Sequence, residues 1–158
     1  MNIQKFESPE EALAAARNFV ALRDAGKHVT TTGNYSVPQI IEHLARSIDI
    51  GLGEQSVPKV SWLVSMMAKM MKKRFLVKGM KPGFRLPAET QSLFWPEEEV
   101  DAQSALDHYS ESISKLMTAE EPIQHPYFGA MTRKEQAILH CRHAELHFSF
   151  ISPKFAIS

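Results

Sequence analysis

Seven histidines occur in the chain, and three of them, His140, His143 and His147, share one helical segment near its end. At roughly 100° per residue they fall within an arc of about 60°. That arc lies on the apolar side formed by Ala137, Ala144, Phe148 and Ile151 and extended by Leu139, Leu146 and Phe150. Glu135, Arg142 and Glu145 take the opposite side. Burying a polar group without a partner costs about 1–3 kcal/mol, and a divalent metal ion is a partner that satisfies imidazole nitrogens. Residues at i and i+4 stack on one helix face, so His143 and His147 can reach a single ion; His140 with His143, at i and i+3, can do the same. Two ligands do not make a tight site, and a third has to come from another element. His43 is the candidate, at the edge of an apolar stripe beside Ile40 and Ser47, with Glu42, Arg46 and Asp49 turned away. The alternative for His143 and His147 is a hydrogen bond to buried backbone or water.

The other histidines differ by position. His108, next to Asp107, reads as solvated, and His28 sits in a connector. His125 precedes a proline in a loop and is kept as a neighbour of the site. Cys141 faces the apolar side away from the histidines and reads as an inert core thiol.

These residues need helices to hold them. Ser8-Pro9-Glu10-Glu11 predicts a helix start, with a serine cap, a proline in the first turn and acids at the positive end of the dipole; Gly26 stops that helix after about Ala25. Ser36 with Gln39 predicts a capping box for a second helix carrying Ile40, Ile41, Leu44, Ile48 and Leu52. A third helix is expected over Pro58–Lys78. Its methionines, Met66, Met67, Met70 and Met71, read as core or interface packing, because methionine fills irregular gaps. Gly79–Pro96, with Lys81-Pro82-Gly83 and Leu86-Pro87, reads as a long ordered loop of the kind that covers functional sites. A fourth helix is expected from about Pro96 to Met117. The last is capped by Thr132 and Glu135 and runs to about Ile151. No segment shows convincing strand alternation. The expectation is one all-α domain over 1–158: a bundle of four main helices, with an extra helix and a Pro/Gly loop in a long crossover that lets two neighbouring helices run parallel.

Composition narrows the class. The chain has 158 residues, with 18 Lys plus Arg against 18 Asp plus Glu. Zero net charge argues against a nucleic-acid partner, and the basic group Lys69, Lys72, Lys73, Arg74 and Lys78 reads as a solvated helix face. One cysteine makes no internal disulfide, no stretch has the length of a membrane span, and the N-terminus lacks a signal-peptide core. A cytoplasmic protein without a membrane partner is expected, with a homodimer through the apolar surplus of the third helix.

Four segments carry a family resemblance: Tyr35 to Ala45, Lys81 to Pro87, His125-Pro126-Tyr127-Phe128-Gly129, and Leu139 to His147. In order and spacing they resemble the DinB/YfiT-like superfamily of metalloenzymes, and within it a bacterial family of unknown function. The resemblance implies a DinB-like four-helix bundle of up-down-down-up topology. It implies a three-histidine site made of His43, His143 and His147, with His140 a neighbour rather than a ligand. Where related chains carry arginine and glutamine after the last ligand, this one has Phe148, Ser149 and Phe150.

Three imidazoles on one ion leave positions open for water or substrate, as catalytic sites do. Zinc and nickel suit imidazole best, and iron and manganese are also compatible. The ion acidifies a bound water or a substrate thiol, and the resemblance implies metal-dependent hydrolysis or transfer to a low-molecular-weight thiol. A small-molecule substrate is expected. No general base stands out; His140 and Glu145 are the weak candidates. The competing reading is a non-catalytic bundle that binds a ligand or partner and whose histidines are structural. A nucleic-acid damage response follows only from the superfamily's name, and the charge balance opposes it.

Overall fold

The computed structural model describes residues 4–59, 61–83 and 88–154. Polar caps set most of its helix starts. Helix α1 (Pro9–Asp24) begins where the Ser8 side chain accepts a hydrogen bond from the Glu11 N–H, with Pro9 in the first turn. Strand β1 (His28–Thr31) follows. Helix α2 (Val37–Leu52) opens on the expected Ser36–Gln39 capping box and closes at Gly53, whose φ of 79° is the left-handed conformation that a glycine adopts without a Cβ penalty. Helices α3 (Trp62–Lys78) and α4 (Ala88–Phe94) occupy the crossover. Helix α5 (Ala102–Thr118) starts at an Asp101 cap. Strands β2 (Ile123–His125) and β3 (Gly129–Met131) form a hairpin around the His-Pro-Tyr-Phe-Gly turn. Helix α6 (Arg133–Phe148) has the Thr132–Glu135 capping box. Strand β4 (Ile151–Lys154) pairs antiparallel with β1, Thr31 opposite Ile151 and His28 opposite Lys154.

The molecule is mostly helical, a bundle with two small two-stranded sheets. One core joins α1, α2, α5 and α6: Ala12 and Ala16, then Ile41, Ala45 and Ile48, then Ala105, Tyr109 and Leu116, then Ala144 and Phe148. Phe6 closes one end, packing edge-on against Phe148 with ring centroids 5.9 Å apart. Helices α2 and α5 make the most extensive contact, and alanines on both faces (Ala45, Ala105) let the backbones approach. Their cross-links advance in step. Gln39 Nε2 donates to the Glu98 carbonyl, His108 lies between Glu42 and Asp49, and Lys115 pairs with Glu54 at 3.0 Å. Higher numbers on one helix meet higher numbers on the other, so α2 and α5 run parallel.

Several expectations are corrected. The chain is not all-α. The strands escape a periodicity reading because they are three or four residues long, too short for alternation to show. The stretch read as one long loop holds α4, although Phe84–Pro87 lie outside the described residues. Helix α5 starts at Ala102, not near Pro96, because Asp101 supplies the cap that Pro96 does not. Helix α6 ends at Phe148, where the chain turns into β4. Met66, Met67 and Met70 are exposed, and no residue of α3 is buried, so core packing does not account for them.

Candidate metal centre

Three imidazoles from two helices meet at one point. His43 lies mid-way along α2; His143 and His147 lie one turn apart on α6. Their Nε2 atoms are separated by 3.2 Å (His43–His143), 3.1 Å (His43–His147) and 2.9 Å (His143–His147). Three imidazoles bound to one ion at about 2.0–2.1 Å in tetrahedral geometry hold their nitrogens about 3.3 Å apart, close to this spacing. Among the described residues, this is the group of His, Cys, Asp and Glu side chains able to hold a metal ion.

The protonation pattern fits the same occupant. His43 Nδ1–H donates to the Phe94 carbonyl at 3.0 Å, so its Nε2 carries a lone pair. That lone pair faces two further Nε2 atoms, and hydrogen bonds alone leave either two lone pairs or two N–H groups opposed within the triangle. A cation at the centre accepts all three, and a backbone carbonyl on the far nitrogen is the usual way a ligand histidine is oriented. Burial holds all three rings neutral. His43 lies well below the ordinary histidine range through burial and the nearby His147, against the opposing Phe94 hydrogen bond. His143 is lowered by burial and by His147, His43 and His140, and burial takes His147 to about 4. Neutral imidazole is the metal-binding form.

Trp95 completes the setting. Its ring stacks on His43 at 3.8 Å with 4° between the planes, and Tyr35 stacks on its other face at 3.8 Å. His43 is thus fixed in rotation by the Phe94 carbonyl at the end of α4 and in tilt by Trp95, itself held between His43 and Tyr35. His147 meets the Trp95 edge at 5.3 Å and Phe150 at 6.3 Å. His43 is buried, while His143 and His147 are half-buried and keep an edge toward solvent.

The remaining candidates fall elsewhere. His140 is buried and its Nε2–H donates to Gln136 Oε1 at 3.1 Å, while Gln136 donates to the Gly51 carbonyl at 3.0 Å. His125 is also buried, its Nδ1 accepting from the Tyr127 and Phe128 N–H groups. Both crowd Gly51: a Cβ there would meet Gln136 Oε1 at 3.1 Å, His125 Cδ2 at 3.2 Å and His140 Nε2 at 3.3 Å. Burial lowers His125 to about 4 and, with the nearby His125, His140 to about 3. His140 and His125 therefore form a second, tightly packed polar group and do not join the three converging nitrogens. Cys141 is buried, and burial pushes its thiol up to about 12, in keeping with an inert core residue.

Two readings of single residues are corrected. Glu145, placed by periodicity on the polar arc, is buried: it accepts the Phe6 N–H at 3.0 Å and pairs with Arg142, because the N-terminal segment folds over that side of α6. It is committed to structure and turned from the cluster. His108 is half-buried, not solvated, and donates to Glu42 Oε2 at 2.9 Å and Asp49 Oδ2 at 2.8 Å. Trp95 and the Phe94 carbonyl are not singled out by sequence, since they lie at the end of a short helix inside a segment that reads as loop.

Fold and site together define a helical bundle with a buried three-histidine cluster able to coordinate a metal ion. A family model described as "Protein of unknown function (DUF1569)" matches residues 4–154. The chain belongs to that family. None of the curated proteins and none of the solved structures matches it. Membership of the DinB/YfiT-like superfamily is thereby corrected, since the matching family is a distinct one. The resemblance rests on four segments, of which His125-Pro126-Tyr127-Phe128-Gly129 followed by the histidine helix is the specific part. Within them, a histidine pair one turn apart and a third histidine on a facing helix suit any three-imidazole site between two helices, so that part reports the site and not the lineage.

Proposed function

We propose that the chain is a divalent-metal protein with His43, His143 and His147 as its ligands, acting on a small molecule as a metal-dependent hydrolase or thiol-dependent transferase. The observation that carries this reading is the convergence of three Nε2 atoms within 3.2 Å of one another. Zinc and nickel suit three imidazoles best. When bound, such an ion supplies Lewis acidity, making a water or a thiol a stronger acid near neutral pH. Three neutral ligands leave its charge uncompensated, which favours an anionic oxygen or sulfur at an open position. The chain's own contribution is orientation and partial exclusion of water: Phe94 and Trp95 fix His43, and Trp95 and Phe150 wall the half-open side. The parallel α2 and α5 support an up-down-down-up arrangement of α1, α2, α5 and α6.

A second reading has its own observation. Glu145 is tied to Phe6 and Arg142, and His125 and His140 are enclosed around Gly51, so none of these three stands out as a general base. That favours a non-catalytic ligand-binding centre. The two readings separate with untagged protein loaded with zinc or nickel. It is assayed on activated carboxylic and phosphate esters, and separately on a thiol such as cysteine with an electrophilic acceptor. Turnover that disappears in His147→Ala supports the enzyme. Full metal loading with no turnover in either assay supports the binding centre.

A further inference from the structure

Helix α3 presents an exposed face that the metal centre does not use. No α3 residue is buried, and Trp62, Met70 and Val77 are 76%, 74% and 72% exposed. At 100° per residue, Trp62, Met66, Val77, Met70 and Leu63 line one outward arc of about 100°. Lys69 borders that arc on one side, Arg74 and Lys78 border it on the other, and Lys73 lies within it between Trp62 and Met66. Its half-buried residues, Ser65, Ala68, Met71, Lys72, Phe75 and Leu76, form the opposite side. That side is held down: Phe75 meets Phe128 edge-on at 6.1 Å, and Lys72 donates to the Ala130 carbonyl and lies 3.8 Å from Glu135. The helix has five cations and no acid. Among the described residues, Lys72 is the member of that set paired with a carboxylate.

We infer that α3 docks on an anionic lipid surface, its apolar ridge entering the headgroup boundary and the exposed cations within and beside it meeting lipid phosphates. Contiguous exposed apolar surface marks a contact site, and charge selects the occupant. A second copy of the chain would bring the exposed Lys69, Lys73, Arg74 and Lys78 against the same four cations, so self-pairing through α3 is opposed by repulsion. The ridge is a convex helix face about 25 Å long, with cations on both flanks able to reach one plane. A planar anionic surface satisfies both flanks and Lys73 at once, as it does for helices that lie in a membrane interface. No helix of the described residues is long and apolar enough to cross a membrane, so the contact is peripheral. It is independent of the metal reading.

The full-length protein is mixed with sedimenting vesicles of phosphatidylcholine alone or with phosphatidylglycerol. Co-sedimentation with the anionic vesicles, weakened by added salt and accompanied by a blue shift of Trp62 emission, is expected. The shift is assigned by its loss in Trp62→Phe. Lys69→Glu with Lys73→Glu should lower partitioning about tenfold or more, and Met66→Ser with Met70→Ser should lower it as well. Unchanged circular dichroism and melting temperature show that these exposed substitutions leave the fold intact. Equal binding to neutral vesicles, or no binding to either, overturns the inference. Capture by polyglutamate without vesicle binding overturns it in favour of an acidic protein partner. A dimer abolished by Met70→Asp overturns it in favour of self-association.

Discussion

His43 shows how a single ligand is aimed. Its backbone belongs to α2, but its ring is set by α4, through the Phe94 carbonyl on Nδ1 and Trp95 stacked on its face. Groups that orient ligand imidazoles carry about ten- to hundredfold in metal affinity. Trp95→Ala is therefore expected to weaken metal binding by about tenfold, with Trp95→Phe recovering most of the loss because it restores a flat apolar face. Competition with a chromophoric chelator measures both. Equal affinity in wild type and Trp95→Ala would show that the stack is only packing. At this scale the sequence was legible where spacing carries the chemistry: an i, i+4 pair and a histidine on a helix's apolar edge are visible without a structure. Glu145 and His108 were misread for a shared reason. Helical periodicity separates faces of one helix but does not say what covers them, and here Phe6 covers one residue and α2 the other.

Between elements, the α2–α5 contact holds the main titratable link. Both His108 nitrogens face carboxylates, so the ring is the cation there; burial opposes this, and the Glu42 and Asp49 hydrogen bonds outweigh it, raising its pKa. For Glu42, burial is likewise outweighed by Arg46 and His108, lowering its pKa. The signs give a window. A raised histidine contributes stability below its unfolded pKa of about 6.5, lost as pH rises through the folded value. The lowered Glu42 contributes above the usual carboxylate range, lost as pH falls. His108→Gln should thus be destabilised relative to wild type by about 1 kcal/mol near pH 6, after discounting for its partial exposure, and by less at pH 8.5. Urea denaturation at the two pH values measures this, and a gap that widens with pH would contradict it. Helix starts were legible because caps are local: Ser8, Ser36 and Thr132 sit where their chemistry predicts. The β1–β4 pair was not, since its partners are more than a hundred residues apart and the pairing leaves no local pattern.

Across the whole molecule, zero net charge conceals segregation. Helix α3 holds five cations without an acid, while Glu97, Glu98 and Glu99 form an exposed run elsewhere. A total says nothing of such separation, and Lys69, Lys73, Arg74 and Lys78 are exposed, as a solvated helix face has them. Five helices and the crossover are legible from caps, glycines and prolines, whereas α4, inside the Pro/Gly-rich segment, is not. That α2 and α6 face each other closely enough for His43 to meet His143 and His147 rests on tertiary packing around Ile41, Ala45, Ala144 and Phe148, which a single sequence only suggests. The most direct test of the account is metal content. Untagged protein, dialysed after exposure to zinc or nickel, is expected to retain one ion per chain by elemental analysis, and His143→Ala to lose it while keeping its helical circular dichroism. Sub-stoichiometric metal in the wild type, unchanged in His143→Ala, would contradict the assignment of these three histidines as a metal centre.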